Sequence, residues 1–136
     1  MMLNLKAIHH IAIIASDYFK SRDFYCEILG MTLLNESYRA ERQSWKADLA
    51  LAGHYVIELF SFPDAPPRIS YPEACGLRHL AFSVEDLDEA ITLLSQHQIQ
   101  CEPIRIDPLT GKAFTFFNDP DGLPLELYQE GLGCGG

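Results

Sequence analysis

Short apolar strands and one amphipathic stretch alternate along the chain, and the pattern occurs twice. Residues 7–15 are nearly all apolar apart from His9 and His10 and predict a buried strand. Ser16-Asp17 is a helix-start signal. Tyr18, Phe19, Arg22, Phe24, Tyr25, Ile28 and Leu29 then follow helical spacing, and Gly30 suits the C-terminal cap. Residues 31–38 predict a second strand, the polar residues 39–43 a turn, and 44–51 a third strand. Ala52-Gly53 turns the chain into a fourth strand over 54–62. Residues 63–74 hold Pro63, Pro66, Pro67 and Pro72 with little periodicity, and read as a linker or surface loop. The pattern then restarts with a strand over 77–84. Glu85-Asp86 opens a helix through Ala90, Ile91, Leu93 and Leu94 to about His97. Strands follow over 99–106, 112–118 and 123–128, with turns at 107–111 and at Asp119-Pro120-Asp121-Gly122.

Each half therefore reads strand, helix, three strands, an α+β chain made of two βαβββ modules. The halves also match residue by residue. His10 and His79 are 69 residues apart, each followed seven positions later by the aspartate that opens a helix, Asp17 or Asp86. Glu58 and Glu126 are 68 apart, in Ile57-Glu58-Leu59-Phe60 and Leu125-Glu126-Leu127-Tyr128. The coincidence of both spacings indicates a duplicated module. The expected organisation is one domain over 5–130, with module one at 5–62, a linker at 63–76 and module two at 77–130. Residues 131–136 are expected to be a disordered Gly-rich tail.

Strand parity sorts the side chains, because neighbours point to opposite faces. Ile11 and Ile13 lie opposite His10, Ile57 and Leu59 opposite Glu58, Leu80 and Phe82 opposite His79, and Leu125 and Leu127 opposite Glu126. Each sheet has an apolar face suited to its helix and a second face carrying these polar residues. Singly, each has an ordinary reading: a hydrogen-bonded histidine, or a glutamate on a wet face. As a symmetric set of two imidazoles and two carboxylates, they make a divalent-metal site if the two faces meet. That mixture suits nickel, cobalt, zinc, iron or manganese. His9 has the opposite parity and reads as structural. His54, at a turn, and His97, at a helix end, read as surface residues.

Composition narrows the classes of partner. A chain of 136 residues with net charge -9 is one compact domain or two joined half-size modules, and lacks the basic patch that nucleic acid or an anionic membrane requires. No apolar run approaches the roughly 20 residues of a membrane span. The N-terminus has no apolar leader, and Cys26, Cys75, Cys101 and Cys134 are scattered without a paired motif. The expectation is therefore a cytoplasmic protein with reduced thiols.

With these residues in view, the chain resembles the vicinal oxygen chelate superfamily. That superfamily includes glyoxalase I, fosfomycin-resistance thiol transferases, methylmalonyl-CoA epimerase, extradiol dioxygenases and bleomycin-resistance proteins. The resemblance is strongest to small stand-alone bacterial glyoxalase-like proteins of the YaeR type. It rests on His10-Ile-Ala-Ile with Asp17, Phe24-Tyr25-x-x-Ile28-Leu29-Gly30-Met31, Ile57-Glu58-Leu59, His79-Leu-Ala-Phe-Ser-Val and Asn118-Asp-Pro-Asp-Gly-x-x-x-Glu126. It implies two paired βαβββ modules forming a barrel-like metal cleft, the glyoxalase/bleomycin resistance/dihydroxybiphenyl dioxygenase fold. It further implies one divalent metal per site held by His10, Glu58, His79 and Glu126, with nickel, cobalt or zinc ahead of iron or manganese. The implied partners are a small-molecule substrate, with a thiol adduct as one candidate, and a second copy of the chain in a homodimer. In this family modules pair within a chain or between chains, and the sequence leaves both arrangements open.

The implied chemistry is that of a lyase or isomerase, with proton transfer beside a metal-chelated carbonyl through an enediolate. Glu126, with Glu58 as the second candidate, is the implied general base and acid. The presence of Glu58 argues against three-ligand members such as the dioxygenases. A non-catalytic binding protein and an iron-dependent dioxygenase stand as alternatives. One departure bears on the substrate: residues 11–15 carry no arginine, where bacterial glyoxalase I usually has one for glutathione. Arg39, Arg42, Lys46, Arg105 and Lys112 are candidate anion contacts or exposed edge charges. Trp45, Phe114 and Phe116 are either a pocket wall or core.

Overall fold

Asp17 and Asp86 start the two helices. Each sits in extended backbone, and its carboxylate accepts a hydrogen bond from an N–H three residues on, Lys20 at 3.2 Å and Glu89 at 3.0 Å. In this computed structural model α1 spans Tyr18–Asp23 and α2 spans Leu87–Gln96. The structure describes residues 1–131, so all of the expected tail except Gly131 lies outside the described residues. The chain divides into two units, Met1–Pro67 and Arg68–Gly136.

In the first unit, β1 (Ile11–Ala15), β2 (Thr32–Arg39), β3 (Ser44–Leu51) and β4 (His54–Ser61) form a sheet in the order β1-β4-β3-β2. In the second, β5 (Leu80–Val84), β6 (Arg105–Ile106), β7 (Ala113–Asn118) and β8 (Pro124–Gln129) repeat that order as β5-β8-β7-β6. The first and last strands of each unit run parallel and the remaining neighbours antiparallel. Each unit is thus the expected βαβββ module.

The core of each unit lies between its helix and the apolar face of its sheet. Ala47, Leu49, Ile57 and Leu59 are buried with Tyr18, Phe24 and Tyr25 in the first unit, and Phe117, Leu125 and Leu127 with Leu87 and Leu94 in the second. Fully burying one such side chain contributes about 1.5–3 kcal/mol, so these rows fix which face of each strand turns inward.

Three elements depart from expectation. The expected helix over 18–29 changes pitch after Asp23: Phe24–Ile28 form a π-helical turn closed by Leu29 N–H to the Phe24 carbonyl at 3.0 Å. Phe24 and Tyr25, at the start of this wider turn, are both buried. The opening strands begin at Ile11 and Leu80, so His9, His10 and His79 precede the ladders instead of lying within them. The strand expected over 99–106 is reduced to Arg105–Ile106. Pro103 has no N–H to give to a ladder. The segment is held instead by single bonds, from Glu102 N–H to the Phe116 carbonyl at 2.9 Å and from the Thr115 hydroxyl to the Glu102 carbonyl at 2.6 Å.

The turn into β8 is built around Asp119. Its buried carboxylate oxygen Oδ1 accepts from the Asp121 and Leu123 N–H groups, both at 2.9 Å. Asp119→Ala leaves the buried Leu123 N–H without that acceptor and is expected to cost about 1–3 kcal/mol. Chemical denaturation checks this as a lower midpoint, and Asp119→Asn, which keeps an acceptor oxygen, is expected to lose less.

Candidate metal centre

Backbone register brings each histidine to its glutamate. In the parallel pair β1–β4, Ala12 lies opposite Glu58, and His10 is two residues before Ala12 on the same face. In β5–β8, Ala81 lies opposite Glu126, and His79 is two residues before Ala81. Ala12 and Ala81 are exposed, and their small side chains leave each imidazole room to lean over the sheet toward its carboxylate. His10 Nε2 is 3.6 Å from Glu58 Oε1, and His79 Nε2 is 3.1 Å from Glu126 Oε1. The glutamate side chains are only 19% and 13% exposed, the histidines 35% and 33%. The four expected residues are therefore brought together as two His–Glu pairs, one on each unit. Among the described residues no group of three or more His, Cys, Asp or Glu side chains gathers as one metal-holding cluster.

The donor chemistry of each pair fits a divalent cation: one imidazole nitrogen and one carboxylate oxygen already side by side. The Nδ1 of His79 is buried, so Nε2, beside Glu126, is the ring nitrogen that could serve a ligand. His79 also packs edge-on against Phe116, with ring centres 5.0 Å apart, which holds its orientation.

The surroundings of the two pairs differ. Around Glu58 they are polar. Lys46 Nζ is 3.3 Å from Glu58 Oε2 and 3.2 Å from Asp48 Oδ1. The Asn35 amide reaches Asp48 Oδ2 at 3.5 Å, and the Tyr55 hydroxyl also bonds Asp48. Burial works against the charge on Lys46, but its bonds to Asp48 and Glu58 outweigh this and hold its pKa above the usual range. Burial likewise opposes ionisation of Asp48, and the bonds from Lys46, Tyr55 and Asn35 prevail, so its pKa is lowered. Tyr55 stacks on His10 at 5.0 Å, and His9 Nδ1 lies 2.8 Å from His10 Nδ1.

Around Glu126 the walls are aromatic. Phe116 lies opposite Glu126 in the β7–β8 ladder and Phe114 opposite Tyr128. Arg105 lies over both phenyl rings, 5.4 Å from the centre of Phe114 and 5.3 Å from that of Phe116. Phe114 and Phe116 are thus on the site face. Trp45 is not: it stacks on Tyr18 at 5.2 Å on the helix side of its sheet. Of the other candidate anion contacts, Arg39 donates to Ser44 Oγ at 2.9 Å and lies over Phe60, while Lys112 pairs with Glu130 at 3.0 Å. Asp48 and Tyr55 were not singled out from the sequence. Their signal was the parity of Lys46 and Asp48 in β3, which gains meaning only once β3 is set in register against β4.

The family model described as Glyoxalase/Bleomycin resistance protein/Dioxygenase superfamily matches residues 7–127. The chain belongs to this superfamily. It is 67% identical over 129 residues to the "Uncharacterized protein YaeR" of Escherichia coli strain K12, covering 95% of this chain and all of that one. Among solved structures, a glyoxalase family protein from Enterococcus faecalis is 50% identical and superposes with a TM-score of 0.86, over 93% of this chain and 100% of that one. A more distant relative, the lactoylglutathione lyase of Escherichia coli O157:H7, is 32% identical over 138 residues, covering 89% of this chain and 90% of that protein. Both sheets of this chain have the strand arrangement of this superfamily's fold. Among the described residues no helix is long and apolar enough to cross a membrane.

Burial and the bond to Asp48 push the Tyr55 hydroxyl from 10.0 up to about 12. A folded-state pKa raised in this way favours the neutral phenol, so its contribution to stability is complete below pH 10.0 and is lost as pH rises through about 12. Tyr55→Phe is expected to make the alkaline fall in stability shallower across that window. Denaturation midpoints measured at successive pH values check it. Tyr18, raised by its burial and its bond to Glu36, contributes a further fall in both proteins.

Proposed function

We propose that this chain is a divalent-metal-dependent lyase or isomerase of the glyoxalase I type, with His10, Glu58, His79 and Glu126 as the metal ligands. The observation that carries this reading is the repeated His–Glu pair, at 3.6 Å on one unit and 3.1 Å on the other, each with the carboxylate mostly shielded from solvent. Four N and O donors suit nickel, cobalt or zinc, and also iron or manganese. The similarity to a lactoylglutathione lyase over most of both chains supports the same class of reaction. The reading includes a small-molecule substrate, a cytoplasmic location and a homodimer.

When bound, the cation would supply Lewis acidity to a substrate carbonyl and offset the negative charge that develops on its oxygen. The chain's own residues do the rest. His10 and His79 supply neutral nitrogens, and Phe116 orients His79. Glu126 takes the proton from the hydroxyl-bearing carbon beside the carbonyl and returns it to the former carbonyl carbon, acting as base and then as acid, while the hydroxyl proton passes to the former carbonyl oxygen. Nothing is oxidised or reduced overall, so no further reactant is needed. Phe114 and Phe116 exclude water from the Glu126 side, which strengthens electrostatic interactions there. The hemithioacetal of methylglyoxal and glutathione is the probe substrate for this chemistry, and other thiols extend the test.

Two measurements check the reading. Protein purified without an affinity tag is expected to hold a near-stoichiometric divalent metal by mass spectrometry, lost in His79→Ala. Isomerisation of the hemithioacetal is expected to fall by roughly 100-fold or more in Glu126→Gln, the range for loss of a general acid–base group. Protein that takes up no metal on titration would falsify the proposal.

A further inference from the structure

The two glutamates occupy matching places in a repeated sheet, yet the residues opposite them in the neighbouring strand are unlike. Asp48 faces Glu58 across β3–β4, and Phe116 faces Glu126 across β7–β8. One step along, Lys46 occupies the position that Phe114 holds in the second unit. Both oxygens of Glu58 are engaged as a result: Oε1 faces His10 at 3.6 Å, and Oε2 faces the Lys46 ammonium at 3.3 Å. Lys46 is itself fixed by Asp48 at 3.2 Å, Asp48 bonds Tyr55, and the Tyr55 ring stacks on His10. The network closes into a ring of five side chains, His10, Glu58, Lys46, Asp48 and Tyr55. Among the described residues the one ion pair of Glu126 is with His79, and its neighbours in the adjoining strands are Ala81 and Phe116, with Arg105 and Arg78 over the phenyl ring and not paired with the carboxylate.

We infer that Lys46 is a positioning residue that tethers Glu58 as a fixed ligand, leaving Glu126 as the carboxylate able to leave its place and return. The inference rests on the metal-site reading above and assigns unequal roles to two ligands that the repeat makes look equivalent. A carboxylate held through one oxygen by a bonded ammonium loses the rotational freedom needed to carry a proton between two carbons. A carboxylate whose one ion pair is its histidine has no such restraint. Asp48 and Tyr55 serve the tether indirectly, by holding Lys46 and closing the ring onto His10.

The test is nickel affinity by calorimetry on the full chain, for Lys46→Met, Glu58→Gln, Glu126→Gln and the two double variants containing Lys46→Met. Circular dichroism melts confirm that each is folded. A lysine acting only as a nearby positive charge would oppose the cation, so its removal would tighten nickel binding in every background. A tether gives a different pattern. Lys46→Met weakens binding in the wild-type background, and that weakening disappears once residue 58 is glutamine. The 46–58 cycle is expected to show coupling of about fivefold or more, and the 46–126 cycle to be additive within about twofold. Glu58→Gln is expected to weaken nickel binding more than Glu126→Gln, and Lys46→Arg to restore most of the loss. Tighter binding in Lys46→Met, an additive 46–58 cycle, or Glu126→Gln as the costlier change would overturn the tether and leave the metal site standing. Absence of binding of nickel, cobalt, zinc, iron and manganese alike by the wild type would overturn both.

Discussion

The parallel pairing of the first and last strands of each unit is the constraint on which everything else depends. Ala12 opposite Glu58 and Ala81 opposite Glu126 are what place a histidine and a glutamate on one face. The pairing is locked from the other side of the sheet. Ile57, Leu59, Leu125 and Leu127 are all buried against their helices. A slip of one residue would turn those side chains out and a carboxylate into the core, losing apolar burial and stranding a charge. The polar pair is therefore positioned by the hydrophobic effect acting on its neighbours.

The same backbone solution is used twice with different walls. In the first unit Lys46, Asp48, Asn35 and Tyr55 make a polar network in which the partners hold one another's charge states. In the second, Phe114, Phe116 and Tyr128 line the face, and Arg105 lies across the rings. Superfamily membership fixes the fold but not the reaction, since one scaffold hosts lyases, transferases and binding proteins. Function must be argued from the donors and from what surrounds each of them. Here the donors repeat and the surroundings do not, and this is where the chain departs from the symmetry of its duplication.

The halves also differ in how completely the ladder forms. β2 runs for eight residues beside β3, whereas β6 has two residues beside β7. Pro103 removes a donor from the short edge, and Glu102 substitutes a single backbone bond and a threonine hydroxyl for a row of ladder bonds. An edge strand tolerates this because only one of its sides needs partners. A central strand such as β8 does not, which is why the buried Asp119 turn stands at its entrance.

The sequence was legible where the controlling interactions are local or periodic. Asp17 and Asp86 as caps, the two βαβββ modules, and the inward rows at Ile57, Leu59, Leu125 and Leu127 follow from alternation and capping chemistry. So does the presence of His10, Glu58, His79 and Glu126 on polar faces, because a two-residue period and a 68- to 69-residue repeat need no knowledge of neighbouring strands. The π-helical turn after Asp23 was not legible, because residues 18–29 keep one apolar period and nothing local marks a change of pitch. The side of the sheet taken by Trp45, the ring around Glu58 and the aromatic wall around Glu126 were not legible either. They depend on which residue of β3 meets which residue of β4, across a bulge at Leu49/Ala50, and on the equivalent match of β7 with β8. Cross-strand register is set by the simultaneous packing of both faces, so tertiary structure alone decided how two like-looking glutamates came to stand in unlike surroundings.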